Sequence, residues 1–326
     1  MIYILSRNKK NSSYLNWVNE ISSKTTFITE FGINWFPPSD CSLVITHDAY
    51  RPEPCGIVRK CVNREIPVLI LSDGILEYRN SWIQKQRVDS GIFNPILGHK
   101  LACIGASQVR FLESIKGNFG KCENVGLPRL DDFKIENSRS NIPTILICSS
   151  KTPWFSDDDR KLVLQSFQDL KDLIEIFTKE KNVKFKWRIS HQIAPLIGAE
   201  TSFDQPLEED LINSSAVITM PSTVMLEAMY AHKPVALLDY TLSPHYVPAA
   251  WTVSSIDQML PIINELLDPP FAKVSFQQAV LADALQTKES ATARMIRLVN
   301  KMVEIGGHSR SLGQKLNFPQ NILDGE

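Results

Sequence analysis

No apolar run in this sequence approaches the roughly 20 residues that a membrane-spanning helix needs, so a helical membrane anchor is not expected. The opening stretch, residues 1–10, starts apolar and turns basic, the reverse order of a secretory leader, and its apolar part is too short for one. A surplus of one charge sign is also missing: 35 Lys and Arg face 36 Asp and Glu, a formal net charge of −1. A dedicated nucleic-acid binder carries a basic excess, so nucleic acid is not expected as a partner. The six cysteines, Cys41, Cys55, Cys61, Cys103, Cys122 and Cys148, form no Cys-x-x-Cys pair, and no His/Cys cluster has zinc-ligand spacing. Several lie in apolar runs and read as reduced core residues of a cytoplasmic protein. Tandem repeats and low-complexity tracts are absent as well.

What is present fits a globular protein. The chain has 326 residues, 43% hydrophobic and 22% charged, and at about 150 residues per domain that predicts two domains. In the first half, short apolar stretches (Ile2–Leu5, Thr26–Thr29, Ser42–Thr46, Pro67–Leu71, Leu101–Ile104, Glu123–Val125) alternate with helical patterns at Ser12–Ile21, Ile57–Arg64 and Ser107–Ile115. The second half repeats this with strands at Thr144–Cys148, Val183–Ile189, Ala216–Thr219 and Pro234–Leu238. Between them, Val163, Phe167, Leu170, Ile174 and Phe177 make one apolar helical stripe. Strands alternating with helices imply parallel sheets joined by crossovers. The expected architecture is therefore α/β, two Rossmann-like domains at 1–135 and 142–305, a polar hinge around 131–141, and a polar tail over 306–326.

Parallel sheets bind ligands beyond the carboxyl ends of their strands, so the residues after each strand carry the functional reading. The most informative segment is 213–240. Its strand, Ala216–Thr219, ends at Met220-Pro221, and Ser222-Thr223 open the next helix. Hydroxyls at a helix start cap free amides, and the same amides attract anions. Glu227, one turn further on, is placed to accept hydrogen bonds from a ribose diol. Asp157, Asp158 and Asp159 formally spell a metal-binding Asp-x-Asp, but they stand at a predicted helix start and read as first-turn acids. No metal site is assigned.

Ser222-Thr223, Glu227-Ala228 and Lys233-Pro234-Val235 resemble the nucleotide-binding segment of GT-B-fold glycosyltransferases. The likeness is to the branch holding bacterial capsule and lipopolysaccharide transferases, CDP-glycerol transferases and UDP-GlcNAc 2-epimerases. His232 stands where that group usually has Gly. The stretch Val125-Gly126-Leu127-Pro128-Arg129-Leu130-Asp131 is similar to the one that ends the N-terminal domain in this group. Arg188 and His191 occupy a strand end where a basic residue and His-Pro are common, with Gln192 here in place of Pro. Ser149-Ser150-Lys151 follows the first strand of the second half, where a Ser- or Gly-rich loop lies near the donor. The resemblance covers roughly residues 100–270.

It implies a metal-independent transferase with two domains facing across a cleft and no cofactor besides its co-substrate, a nucleotide-sugar donor. Ser149, Ser150, Lys151, Arg188, His191, Pro221, Ser222, Thr223 and Glu227 would hold that donor. Charge on the leaving group would fall to hydroxyls, amides and cations. In the first half, Ser72-Asp73-Gly74 follows the strand of residues 67–71 and resembles the Glu-Asp-Gly turn of capsule Kdo transferases. Asp73 and Glu77 are candidates for the general base, and His47, after the strand at 42–46, is a third catalytic candidate. Trp82 and Trp154 are candidates for lining an acceptor site; His99, His245 and His308 are unassigned. The expected acceptor is a glycan or lipid-linked acceptor of a bacterial surface polysaccharide. Lys9-Lys10, Arg59-Lys60, Lys85 and Arg87 are placed to touch an anionic acceptor or the headgroups at the inner face of a membrane. The alternatives on the same fold are a nucleotide-sugar 2-epimerase and a polyol-phosphate transferase. A further alternative is a binding protein without turnover.

Overall fold

Runs of Ile, Leu and Val that are buried on both faces can only be interior strands of parallel sheets, and the chain has two sets of them. The computed structural model describes residues 1–7, 13–21, 23–32, 34–83, 92–133 and 142–325. The expected contacts of Lys9, Lys10, Lys85 and Arg87, and most of the expected hinge, lie outside the described residues. In the first set, β1 (Ile2–Leu5), β3 (Leu43–Thr46), β4 (Val68–Leu71) and β5 (Lys100–Cys103) are fully buried. With β2 (Thr25–Ile28) and β6 (Cys122–Asn124) they form a six-stranded parallel sheet in the order β2-β1-β3-β4-β5-β6. Helices α1 (Pro52–Asn63) and α2 (Ala106–Glu113) follow β3 and β5.

The second sheet has five strands in the order β11-β10-β9-β7-β8: β7 (Thr144–Cys148), β8 (Lys184–Arg188), β9 (Ala216–Thr219), β10 (Val235–Leu238) and β11 (Trp251–Val253). β8, with the sequence KFKWR, is an edge strand, and its lysines suit an edge that must not pair with another chain. Helix α3 (Asp157–Glu180) opens on Ser156, whose side chain accepts from the Asp159 amide, with Asp157, Asp158 and Asp159 in its first turn. Its predicted stripe is buried against the sheet. Each such aliphatic or aromatic side chain contributes roughly 1.5–3 kcal/mol by leaving water. Helices α4 (Ala194–Ile197), α5 (Leu207–Ile212), α6 (Val224–Tyr230), α7 (Ile256–Leu267) and α8 (Phe271–Ala284) complete this half. β11, α4 and α5 are too short to leave a periodic signature in sequence.

The chain divides into two compact units that are not the two halves of the sequence. Unit 1 holds residues 1–75, 85–132 and 283–326; unit 2 holds 76–84 and 133–282. Two excursions account for the difference from a division at 135 and 305. Residues 76–84 leave the first half and cluster with unit 2. Helix α9 (Ala291–Ser311), expected in the second domain, packs in unit 1 instead. Met295, Leu298, Val299 and Met302 join Ile2, Ile4, Leu43, Ile45, Leu69 and Leu71 in one core. The motif at 125–131 is the dock for this helix. Asp131 accepts from Ser290 Oγ (2.8 Å) and from the amides of Ala291 (3.0 Å) and Thr292 (2.6 Å), which caps α9. Gly126 has φ +103, and a Cβ there would stand 2.8 Å from Ala291 Cβ.

Beyond α9, residues 312–325 form a strap. Its Leu316, Ile322 and Leu323 are buried. Lys100 Nζ, fully buried, donates to the carbonyls of Pro319 (2.6 Å) and Gln320 (2.9 Å). All six cysteines are free thiols and buried.

Candidate functional site

In unit 2 the chain passes from β7 to β8 on one side and later returns to β9 on the other side of β7. The loops after β7 and β9 therefore leave the sheet at a topological switch point, where α/β proteins hold their ligands. The loop after β7 is Ser149-Ser150-Lys151, and the segment after β9 is Met220-Pro221-Ser222-Thr223. The structure brings these two predicted segments together. Met220 N donates to Cys148 O at 3.3 Å, and Ser150 Oγ lies 3.5 Å from Met220 Sδ. Buried Ser149 Oγ accepts from Ser190 N at 2.8 Å and donates to Ser150 O at 3.0 Å, which fixes the loop. Lys151 is exposed. Thr219 Oγ1, fully buried, is 3.2 Å from Ser222 Oγ.

The segment after β9 differs from expectation in one respect. Thr223 is the N-cap residue of α6, but its φ and ψ are already helical and its side chain makes no capping bond. The Thr223 hydroxyl is thus not the cap of α6. Glu227 sits on the first turn of α6 and is buried. Burial pushes the Cys148 thiol up; nearby Arg188 pulls it down, and the Asp210 and Glu227 carboxylates push it up further. Glu227 is thus buried within electrostatic range of Cys148, the last residue of β7.

Arg188 is placed differently from the expected phosphate contact. Its Nη1 donates to Ser202 O (3.0 Å), Gln205 O (2.7 Å) and Asp210 Oδ2 (3.1 Å). Lys186 pairs with the other oxygen of the same buried Asp210. This guanidinium end ties β8 to the following loop. His191 is exposed, with Nε2 3.0 Å from Asp204 Oδ2 and its ring edge-on to Phe203.

The three catalytic candidates of the first half fall in different units. His47 and Asp73 belong to unit 1, Glu77 to unit 2. His47 Nε2 is 3.4 Å from Asp48 Oδ1 at the end of β3. Asp73 is exposed, and its carbonyl accepts from Arg129 Nη1 at 2.9 Å. Gln108 holds the turn at 72–74, donating to Ser72 Oγ (3.1 Å) and Gly74 O (3.2 Å).

Glu77 lies in a buried charged cluster that sequence reasoning missed. The segment continues into a π-type turn, Arg79–Ile83. Fully buried Arg79 donates through Nε to Glu77 Oε1 at 2.9 Å, and its Nη1 is 3.9 Å from Asp159 Oδ2. Asp239, the first residue after β10, is buried too, and its Oδ2 is 3.4 Å from His245 Nε2. Burial raises Glu77 to about 7 although Arg79 pulls it down; Asp239 and Asp159 push it up further. Burial lowers the His245 pKa against the pull of Asp239, and Arg79 adds to the lowering. Asp239 could have been found by the strand-end rule that singled out Ser149 and Ser222. Arg79 and His245 carry no local signal.

Among the described residues, no group of three or more His, Cys, Asp or Glu is placed to hold a metal ion, and no helix is long and apolar enough to cross a membrane. No protein-family model matches the sequence, and no curated protein matches it. Solved structures do. MnaA of S. aureus in a co-structure with UDP aligns at 12% identity and TM-score 0.64, over 93% of this chain and 96% of that one. A putative UDP-N-acetylglucosamine 2-epimerase from Listeria monocytogenes aligns at 10% identity and TM-score 0.64, over 97% and 98%. The wall teichoic acid polymerase TagF, soaked with CDPG, aligns at 12% identity and TM-score 0.59, over 93% and 88%. Likeness at such low identity speaks to architecture alone, and on that ground this chain is a GT-B-fold protein.

Proposed function

We propose that the chain is an enzyme acting on a nucleoside-diphosphate-activated sugar or polyol, bound to unit 2 at the switch between β7 and β9. One observation carries this reading: Ser149-Ser150-Lys151 and Pro221-Ser222-Thr223 leave adjacent strand ends, with Glu227 on the first turn of the helix that follows. Hydroxyls and amides on both loops suit a diphosphate, and exposed Lys151 adds a cation. Glu227 supplies acceptors for a ribose diol. Glu77, with a pKa of about 7, is suited to take or give a proton near neutrality. His47 and Asp73, in unit 1, are assigned no step.

The structural relatives favour polyol-phosphate transfer or 2-epimerisation over the glycosyl transfer that the sequence motifs suggested. The three reactions break different bonds. Attack of an acceptor hydroxyl on the polyol-bearing phosphorus of CDP-glycerol forms a phosphodiester and expels CMP, with the hydroxyl proton passing to a base. Glycosyl transfer from UDP-GlcNAc breaks the C1–O bond and expels UDP. Epimerisation breaks the C2–H bond and remakes it on the opposite face, the proton leaving and returning through the enzyme's bases, and its product still carries the nucleotide. Incubation with each compound, with nucleotides and nucleotide sugars separated by chromatography, distinguishes them. Release of CMP, release of UDP, or appearance of UDP-ManNAc each identifies one reaction. Turnover of neither compound, with no calorimetric binding of UDP or CDP, rejects the reading.

A further inference from the structure

The amino edge of the first sheet carries cations that the fold leaves unpaired. All six strands of unit 1 are parallel, so the segments leading into them lie along one edge. The end of α9 and the strap run across that edge. Arg310 Nη2 donates to Cys41 O ahead of β3 (2.9 Å), and Glu65 Oε2 ahead of β4 accepts from Leu316 N (2.6 Å). Phe318 packs edge-on against His99 ahead of β5, and Gln320 lies against Gly120 ahead of β6. Lys24, Arg64, Lys116 and Lys315 stand exposed on these segments, and none has an ion-pair partner among the described residues.

The carboxylates ahead of β3, β4 and β6 are spent on the fold. Glu65 holds the strap, Glu113 Oε1 accepts from Cys122 N (3.2 Å), and Asp40 Oδ1 accepts from Tyr3 Oη (3.2 Å). The whole chain is balanced in charge, so bases outward and acids inward on one edge amount to segregation. Lys24 ahead of β2 and Lys116 ahead of β6 are five strand spacings apart, roughly 24 Å. That spread makes a strip, which fits an extended anionic surface better than a small anion.

Apolar side chains project from the same edge: Phe119 is 73% exposed and Leu312 54%. Phe119 sits on a clamped turn. Its neighbour Asn118 is fully buried, accepts at Oδ1 from Ile96 N (2.7 Å), and donates from Nδ2 to Phe93 O (2.8 Å) and Leu112 O (3.1 Å). A single exposed apolar residue is ordinary. A fixed aromatic ring three residues from an unpaired lysine, on a basic strip, suits the boundary between lipid headgroups and acyl chains.

We propose that this edge of unit 1 docks on a bilayer containing anionic lipid, with Lys24, Arg64, Lys116 and Lys315 on the headgroups and Phe119 inserted. The set differs from the basic residues that the sequence singled out, and it does not depend on the nucleotide site of unit 2. Sedimentation of the full chain with vesicles tests it. Binding is expected to phosphatidylcholine vesicles that contain phosphatidylglycerol, not to phosphatidylcholine alone, and it should weaken as salt screens the charges. A base near such a surface is worth about fivefold in partitioning, so Lys116→Glu with Lys315→Glu should lower binding at least about twenty-five-fold. Phe119→Ser should lower it about tenfold. Lys179→Glu with Lys181→Glu makes the same change of net charge in unit 2 and should lower it far less. All the substituted residues are exposed, so the fold survives the changes. No binding to the mixed vesicles, equal binding to phosphatidylcholine alone, or equal losses in the two double variants overturns the proposal. Loss in the 116/315 variant with full binding by Phe119→Ser would mark a plain polyanion surface and overturn the bilayer as its partner.

Discussion

Lys100 Nζ lies 2.7 Å from Glu123 Oε1, an ion pair with both side chains almost wholly buried between the first sheet and the C-terminal strap. The lysine also donates to Gly120 O at 2.8 Å, besides the two strap carbonyls. The glutamate accepts from the amides of Ile322 (2.8 Å) and Leu323 (3.1 Å). Every charge in this knot is answered, which is the condition under which a buried pair holds.

Removing one partner strands the other. Lys100→Met is expected to cost about 3–5 kcal/mol, read as a lower urea midpoint. It should also open residues 316–325 to limited proteolysis. Adding Glu123→Leu should restore only part of the loss, because the two strap amides then lose their acceptor.

Gly126 is expected to reject any side chain. Its φ of +103 already disfavours one, and a Cβ would press on Ala291 Cβ at 2.8 Å and Gln286 O at 2.9 Å. Gly126→Ala should lower stability by at least about 1–3 kcal/mol and loosen α9, read by hydrogen exchange in residues 291–303. An unchanged exchange pattern would contradict the docking role assigned to the motif.

Stability against pH separates two buried groups of opposite sign. Glu77 is raised from 4.5 to about 7, so the folded state holds its proton more tightly than the unfolded state does. The stability this confers is full below pH 4.5 and is lost as pH rises to about 7, a change of about 3 kcal/mol at most. His99 is lowered from 6.5 to about 4 by burial, with Lys121 adding to it, and its Nδ1 accepts from Val68 N at 3.1 Å. Its contribution runs the other way, growing as pH rises from 4 to 6.5. The two contributions therefore oppose one another where these ranges overlap. Glu77→Gln should uncover the rising limb, measured by chemical unfolding at stepped pH; a parallel profile for the variant would refute the assignment.

Glu227→Ala is expected to weaken nucleotide binding by about tenfold or more, the scale of a hydrogen bond to a charged group. Calorimetry with UDP and CDP checks this. Unchanged affinity would move the nucleotide away from α6.

The interior strands were legible because β1, β3, β4, β7, β9 and β10 are continuous apolar runs, and little else in a chain looks like that. The switch-point residues were legible because ligand sites follow strand ends. Helix α9 was legible as a helix but not in its place: an apolar stripe says that a face is buried, not against which sheet. The motif at 125–131 was seen as a family likeness, whereas its visible work is to cap and seat α9 through Asp131 and Gly126. Arg79 and His245 were invisible because their meaning comes from meeting across more than 150 positions of chain, a distance that no local pattern spans.

The route of the chain has a consequence for how it is made. Unit 1 takes four of its core side chains, Met295, Leu298, Val299 and Met302, from a helix translated only after all of unit 2. The first sheet therefore lacks its cover on that face until α9 has been made. A chain truncated near residue 280 would expose an unfinished core in unit 1.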